Sequence, residues 1–148
     1  VREINVPHVK ASIKADKITF ECAKGNKKDY KTIKSYLSHL KVMFRGLSEP
    51  YVYFLESCNV HFPMTLKVEK DKLTVTNFLG EKTPRFAKIL SNVNVDIKGQ
   101  KITISSCDKE AAWQTAANFE KATKIRNRDR RIFQDGIFIT QKPAGGAR

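Results

Sequence analysis

The sequence predicts an α+β fold of two tandem small modules, each an antiparallel sheet covered by one helix. Three observations carry this reading. "KADKITFECAKGNK" (Lys14 to Lys27) aligns with "EKDKLTVTNFLGEK" (Glu69 to Lys82), and "IKADKITFE" aligns with "IKGQKITIS" (Ile97 to Ser105), so one motif recurs along the chain. Within each copy, apolar residues alternate at period two behind a polar turn, the signature of a half-buried hairpin. Two other segments carry apolar residues at helical spacing, and a 148-residue chain that is 41% hydrophobic holds enough apolar side chains to form a core.

Taken in order, the first hairpin places Ile18 and Phe20 on one face after a Lys-Ala-Asp-Lys turn. In "DYKTIKSYLSHLKVMF", Ile33, Leu37, Leu40 and Phe44 recur on one helical face, Lys27, Lys28, Lys31, Lys34 and Lys41 keep mainly to others, and Gly46 is expected to end the helix. A strand, Tyr51 to Leu55, follows. The stretch from Cys58 to Pro63 has no Ser/Gly-rich linker, so a tight junction is expected there, dividing a module over residues 1–59 from one over 60–148.

The second module opens with a hairpin carrying Leu73 and Val75 and continues through further strands to a hairpin carrying Ile102 and Ile104. Asp108 suits a helix N-cap, with Glu110 in the first turn, for "KEAAWQTAANFEKAT". Ala112, Ala116, Phe119 and Thr123 form a narrow stripe that lets a sheet approach, and Trp113 and Phe119 are both expected in the core. Asp135-Gly136 is the turn into a last strand, Ile137 to Thr140, after which "KPAGGAR" is expected to fray.

Charge narrows the partners. The chain carries 28 basic and 15 acidic residues, a formal charge of +13, a field that concentrates phosphate-bearing polymers or acidic membrane. No apolar run reaches the roughly 20 residues of a membrane span, and no signal peptide is expected. The chain begins at Val1 rather than Met, which leaves trimming at the start open. Cys22, Cys58 and Cys107 are odd in number and far apart, so neither a disulfide framework nor a metal site is indicated, and a reducing compartment is inferred. His8, His39 and His61 are equally scattered and read as packing or surface residues. Walker, dinucleotide-binding, zinc-protease and nucleophile-elbow motifs are all missing, so no catalytic residue, cofactor or small-molecule substrate is expected.

Two stretches hold the candidate binding residues. In "NFLGEKTPRF" (Asn77 to Phe86), Gly80 permits positive φ, Thr83-Pro84 stiffens the turn, and Lys82 and Arg85 flank it, so backbone N–H groups and two cations could face one phosphate track. The plain alternative is a hairpin turn with solvated charges. Between Lys121 and Arg131 the chain concentrates Lys121, Lys124, Arg126, Arg128, Arg130 and Arg131 against one acid, Asp129, which is placed to orient Arg126 or Arg131. Arginine's planar fork suits bidentate phosphate contacts. The neighbouring Ile132, Phe133, Ile137 and Ile139 argue that the segment is tethered to a core rather than loose. Asn127 within it, and Lys142 after the last strand, complete the candidate RNA-binding set.

At "NFLGEKTPR" followed by a helix and "IRNRDRRIFQDGIFI", the sequence resembles the universal large-subunit ribosomal protein L-six family in its eukaryotic and archaeal form. "RGLSEPYVY" and "NVHFPM" are similar to the segment joining that family's two domains, and the resemblance covers nearly the whole chain. It implies a duplicated α+β architecture, no catalysis, and assembly on large-subunit ribosomal RNA in the cytoplasm, beside neighbouring ribosomal proteins. It also implies a second domain near the sarcin-ricin loop and the stalk base, where translation factors dock. By this resemblance Asn77, Gly80, Lys82 and Arg85 match one motif, Lys124 to Arg131 the basic segment, and Asp135-Gly136 its turn. The chain departs from the family where "CAKGNK" stands: the first module lacks a hairpin, which implies a helix with little sheet to cover and a lineage with shortened ribosomal proteins. A free RNA-binding regulator of tandem α+β modules is the alternative, and a membrane-surface or polyanion adaptor a third; the regulator would need exposed aromatic pairs on a sheet, which no motif supplies.

Overall fold

The computed structural model describes residues 9–14 and 17–143. Val9–Lys14 (β1) and Lys17–Cys22 (β2) pair antiparallel, with Ala11 opposite Phe20 and Ile13 opposite Ile18. The expected turn residues Ala15 and Asp16, and the expected frayed end beyond Pro143, lie outside the described residues. Lys27–Ser48 (α1) follows, and Asp29 in its first turn accepts a hydrogen bond from the Asn26 N–H, the return half of a capping box. Two compact units divide between Phe44 and Arg45.

In the first unit, no described residue is buried: Leu37 is 38% and Phe44 58% exposed, and Ile33 and Leu40 are half-buried. The helical apolar face read from the sequence therefore exists, but it is not sealed by the two-stranded sheet. Two strands of six residues offer too little area to cover a six-turn helix.

Gly46 does not end α1, which runs on through Ser48. It is buried, and a Cβ there would lie 2.0 Å from the Cys107 carbonyl oxygen and 2.9 Å from the Tyr51 ring. The glycine is needed for close approach, not termination.

The second unit holds two antiparallel sheets. Tyr51–Cys58 (β3) is central in a four-stranded sheet of order β7-β8-β3-β9, formed with Asn94–Lys98 (β7), Lys101–Ser106 (β8) and Gly136–Gln141 (β9). The sequence reading counted β3 with the first module; its alternating buried side chains Tyr51, Tyr53, Leu55 and Ser57 instead take their place beside Ile102 and Ile104 of β8 and Ile137 of β9. Thr140 is the extra residue where the β3–β9 register shifts, and its hydroxyl donates to the Phe54 carbonyl at 3.0 Å. Thr65–Glu69 (β4), Lys72–Thr76 (β5) and Arg85–Lys88 (β6) make the second sheet.

Lys109–Ala122 (α2) packs on strands of both sheets and is capped by Asp108, whose carboxylate accepts the Glu110 N–H at 2.9 Å. Ala112, Ala116, Phe119 and Thr123 are buried, as their spacing predicts, among Leu55, Leu73, Val75, Phe78, Ile102, Ile104 and Ile137. Trp113, expected in the core, is 49% exposed, because it falls one residue, about 100°, away from the alanine stripe. All three predicted hairpins form, with Leu73, Val75, Ile102 and Ile104 fully buried and Ile18 and Phe20 half-buried.

Candidate nucleic-acid interface

The end of α2 is where the two candidate stretches meet. Thr123 closes the helix and its hydroxyl accepts the Ile137 N–H at 2.9 Å, while Glu120 accepts the Ile139 N–H at 2.9 Å, so β9 is fastened to the last helical turn. The chain between, residues 124–135, is held as a loop at three places.

The first place is a turn at Asp129. Its backbone carbonyl accepts the N–H groups of Ile132 and Phe133, and its side chain accepts the Arg131 N–H at 2.9 Å and a forked pair of bonds from the Arg131 guanidinium. These bonds hold the exposed Asp129 carboxyl below its ordinary value, chiefly through the Arg131 side chain. Of the two partners considered for Asp129, Arg131 is the one found. The second place is Phe133, half-buried against the core, with the Arg128 guanidinium 4.9 Å from its ring centroid.

The third is Asp135, which is 1% exposed. Its carboxylate accepts the Val60 N–H at 3.0 Å and the His61 N–H at 3.3 Å, and lies 3.3 Å from the His61 Nδ1. Burial pushes this carboxyl up, but the Val60 N–H, the His61 ring and the His61 N–H outweigh it and hold the group below its ordinary value. Sequence reading assigned Asp135 only to a turn. Its second role, pinning the β3–β4 connection to the basic loop, joins residues 74 and 75 positions apart, a separation that no local pattern signals.

Arg85 ties the "NFLGEK" stretch to this same loop. Its Nε and Nη2 donate to the two Glu81 carboxylate oxygens at 2.8 and 2.6 Å, its Nη1 donates to the carbonyls of Ala122 and Lys124 at 2.9 and 3.3 Å, and its guanidinium stacks 4.3 Å from the Phe78 ring centroid. The Arg85 hydrogen bond holds the Glu81 carboxyl below its ordinary value against an opposing effect of burial, with the charges of Arg85 and Arg128 adding to it. Arg85, read from sequence as a cation facing phosphate, is thus spent inside the protein as a cap on the α2 C-terminus.

The same stretch uses Asn77 and Gly80 for backbone shape. Asn77 (φ 61°), Leu79 (φ 50°) and Gly80 (φ 76°) build a tight turn with left-handed backbone over Phe78–Gly80, and the Asn77 amide donates to the Pro63 carbonyl at 3.0 Å. Lys82 is exposed on the turn.

The remaining candidates other than Lys142 cluster at the end of α2. Lys121, Lys124 and Arg126 line two adjoining concavities at the helix end, one of about 630 Å³ that includes Phe86, Lys88 and Asn118, and one of about 900 Å³ that includes Arg130, Arg131 and Phe133. Among the described residues, no carboxylate lies within ion-pair distance of Lys121, Lys124, Arg126 or Arg130. Asn127, at φ 58°, turns the chain between these side chains. Lys142 is not part of this cluster: it lies past the far end of β9, beside Arg45, Glu49 and Tyr51. Such a surface, wide, concave and cationic with arginines on a braced loop, is suited to gripping a polyanion backbone. Among the described residues no three His, Cys, Asp or Glu side chains group as a metal site, and no helix is long and apolar enough to cross a membrane.

The chain is similar to known proteins over most of its length. A family model described as ribosomal protein L6 matches residues 62–136, the span from the β3–β4 connection to the start of β9. Over 145 residues the chain is 41% identical to the large ribosomal subunit protein uL6 of Haloarcula marismortui, covering 98% of this chain and 82% of that protein. It is 43% identical over 142 residues to uL6 of Methanocella arvoryzae, covering 95% and 80%, and 39% identical over 141 residues to uL6 of Methanococcus vannielii, covering 95% and 78%.

Proposed function

The chain belongs to the ribosomal protein L6 family, and we propose that it grips ribosomal RNA through the cationic surface at the end of α2. It is a structural constituent of the large ribosomal subunit and not an enzyme. The RNA it holds is the backbone near the sarcin-ricin loop and the stalk base, the region that the family resemblance implies. Its binding residues are Lys121, Lys124, Arg126, Asn127, Arg128, Arg130 and Arg131, with Lys82 at the edge; Asn77, Gly80 and Arg85 shape and brace the surface. The single observation that carries this reading is the pair of concavities that Lys121, Lys124 and Arg126 share, left without acidic partners on a loop braced by Asp129, Phe133 and Asp135.

The test is a salt titration of the full chain against an RNA fragment containing the sarcin-ricin loop. Contact with about four to six phosphates makes log affinity fall with log salt at a slope of roughly −3 to −5. A flat dependence refutes the proposal. Washing large subunits in high salt and asking whether the chain stays with them separates assembly on the subunit from the activity of a free RNA-binding regulator.

A further inference from the structure

We propose a second RNA site on the outer face of the β4–β5–β6 sheet: a platform on which an unpaired base stacks against Phe86. It rests on the RNA-binding reading above and adds a different chemistry to it. Leu73, Val75 and Ala87 fill the inner face of this sheet, so the residues between them point outward. Cross-strand pairing then sets Lys67, Thr74 and Phe86 in one row, with Glu69, Lys72 and Lys88 in the next.

Phe86 is 55% exposed at the open edge of the sheet. An aromatic ring on a sheet surface among lysines is the arrangement that stacks bases of single-stranded RNA. The Lys72 ammonium lies 4.9 Å from the ring centroid and 3.3 Å from Glu69. A base that takes the ring face displaces it toward the phosphate of the same nucleotide.

The second, independent observation is Thr74. Its side chain is on this same face, the residue is 8% exposed, and its hydroxyl has no hydrogen-bond partner among the described residues. Buried hydroxyls are rarely left so. The row's neighbours, Lys67 and Phe86, are themselves exposed, and rotation of either admits a polar group to the hydroxyl. A base edge, with donors and acceptors in the plane that stacks on Phe86, supplies that group.

The position suits the first site. Phe86 and Lys88 line both the groove shared with Lys121 and Arg126 and a further concavity of about 630 Å³ with Lys70 and Asp71.

The experiment measures binding of the full chain to a short oligoadenylate and to a blunt RNA duplex, side by side, by fluorescence anisotropy. Phe86→Ala should weaken the oligoadenylate about 5- to 100-fold and the duplex far less, since Phe86 also lines the cationic groove; Phe86→Tyr should keep both. Thr74→Val, of equal shape without the hydroxyl, should weaken the oligoadenylate with no loss of thermal stability. The platform is overturned if Phe86→Ala binds oligoadenylate as the parent does, if it weakens both ligands equally, or if the parent binds only the duplex. A parent that binds neither overturns the RNA-binding reading as well.

Discussion

Arg85→Ala separates a brace from a ligand contact. The side chain is only 26% exposed and joins Glu81, the Ala122 and Lys124 carbonyls and the Phe78 ring. With Glu81 37% exposed, the ion pair counts as a screened one, about 0.5–1 kcal/mol. The two carbonyls at the helix end add about 1 kcal/mol and the ring about 0.5–1 kcal/mol. The loss is about 2–3 kcal/mol, a fall in Tm of roughly 6–14 °C. Lysine cannot reproduce the fork, so Arg85→Lys should recover less than half of it. Circular dichroism melts of the full chain read the stability, and anisotropy with the RNA duplex, taken well below the lower Tm, reads the affinity. If Arg85→Ala melted within a few degrees of the parent while its RNA affinity dropped tenfold, Arg85 would be a phosphate ligand and the bracing argument wrong.

Three further outcomes follow from the same geometry. Gly46→Ala should destabilise by about 2–3 kcal/mol in urea denaturation, since its Cβ meets the Cys107 carbonyl, a backbone atom that cannot rotate away. The Asp135 carboxyl lies below its ordinary value when folded, so its stabilisation is complete above the unfolded value, about 3.9, and is lost as pH falls through the lower folded one. Urea midpoints should therefore drop below about pH 4, and drop less in Asp135→Asn, which should itself cost about 1–3 kcal/mol at neutral pH. The double substitution Arg126→Ala with Arg130→Ala should leave the melting curve within about 0.5 kcal/mol and shallow the salt slope by roughly 2; an unchanged slope would remove those two residues from the interface.

The hairpins and α2 were legible because their signals are local and strong. Period-two pairs such as Leu73 with Val75 and Ile102 with Ile104, and the alanine stripe with its Asp108 cap, each fit one geometry. Gly46 misled because an isolated glycine late in a helical pattern reads as a stop, whereas here the reason lies at Cys107, sixty-one residues on. The partners of β3 were equally invisible: an alternating strand does not announce which sheet it joins, and β8 and β9 arrive much later in the chain. For the candidate site, sequence density pointed to the segment from Lys121 to Arg131, and the resemblance pointed to both motifs. What density could not do was tell an arginine aimed at solvent from one aimed at a carbonyl.

That distinction explains why the basic segment contains acids and aromatics at all. An arginine fixed on binding loses up to about 2 kcal/mol of rotamer freedom, so a loop of loose arginines would surrender much of its contact energy to ordering. Here Arg131 is already forked onto Asp129, and Arg128 already lies over Phe133, which in turn packs against the His61 ring at 5.2 Å. His61 and Val60 are held by Asp135, and Arg85 holds the carbonyls from which the loop departs. The order of these contacts runs from the core outward, so the positions of Arg126 and Arg130 are narrowed by a backbone fixed on both sides of them. The single acid in the run lowers the local charge by one, and in exchange the turn at Arg131 is already shaped without a ligand.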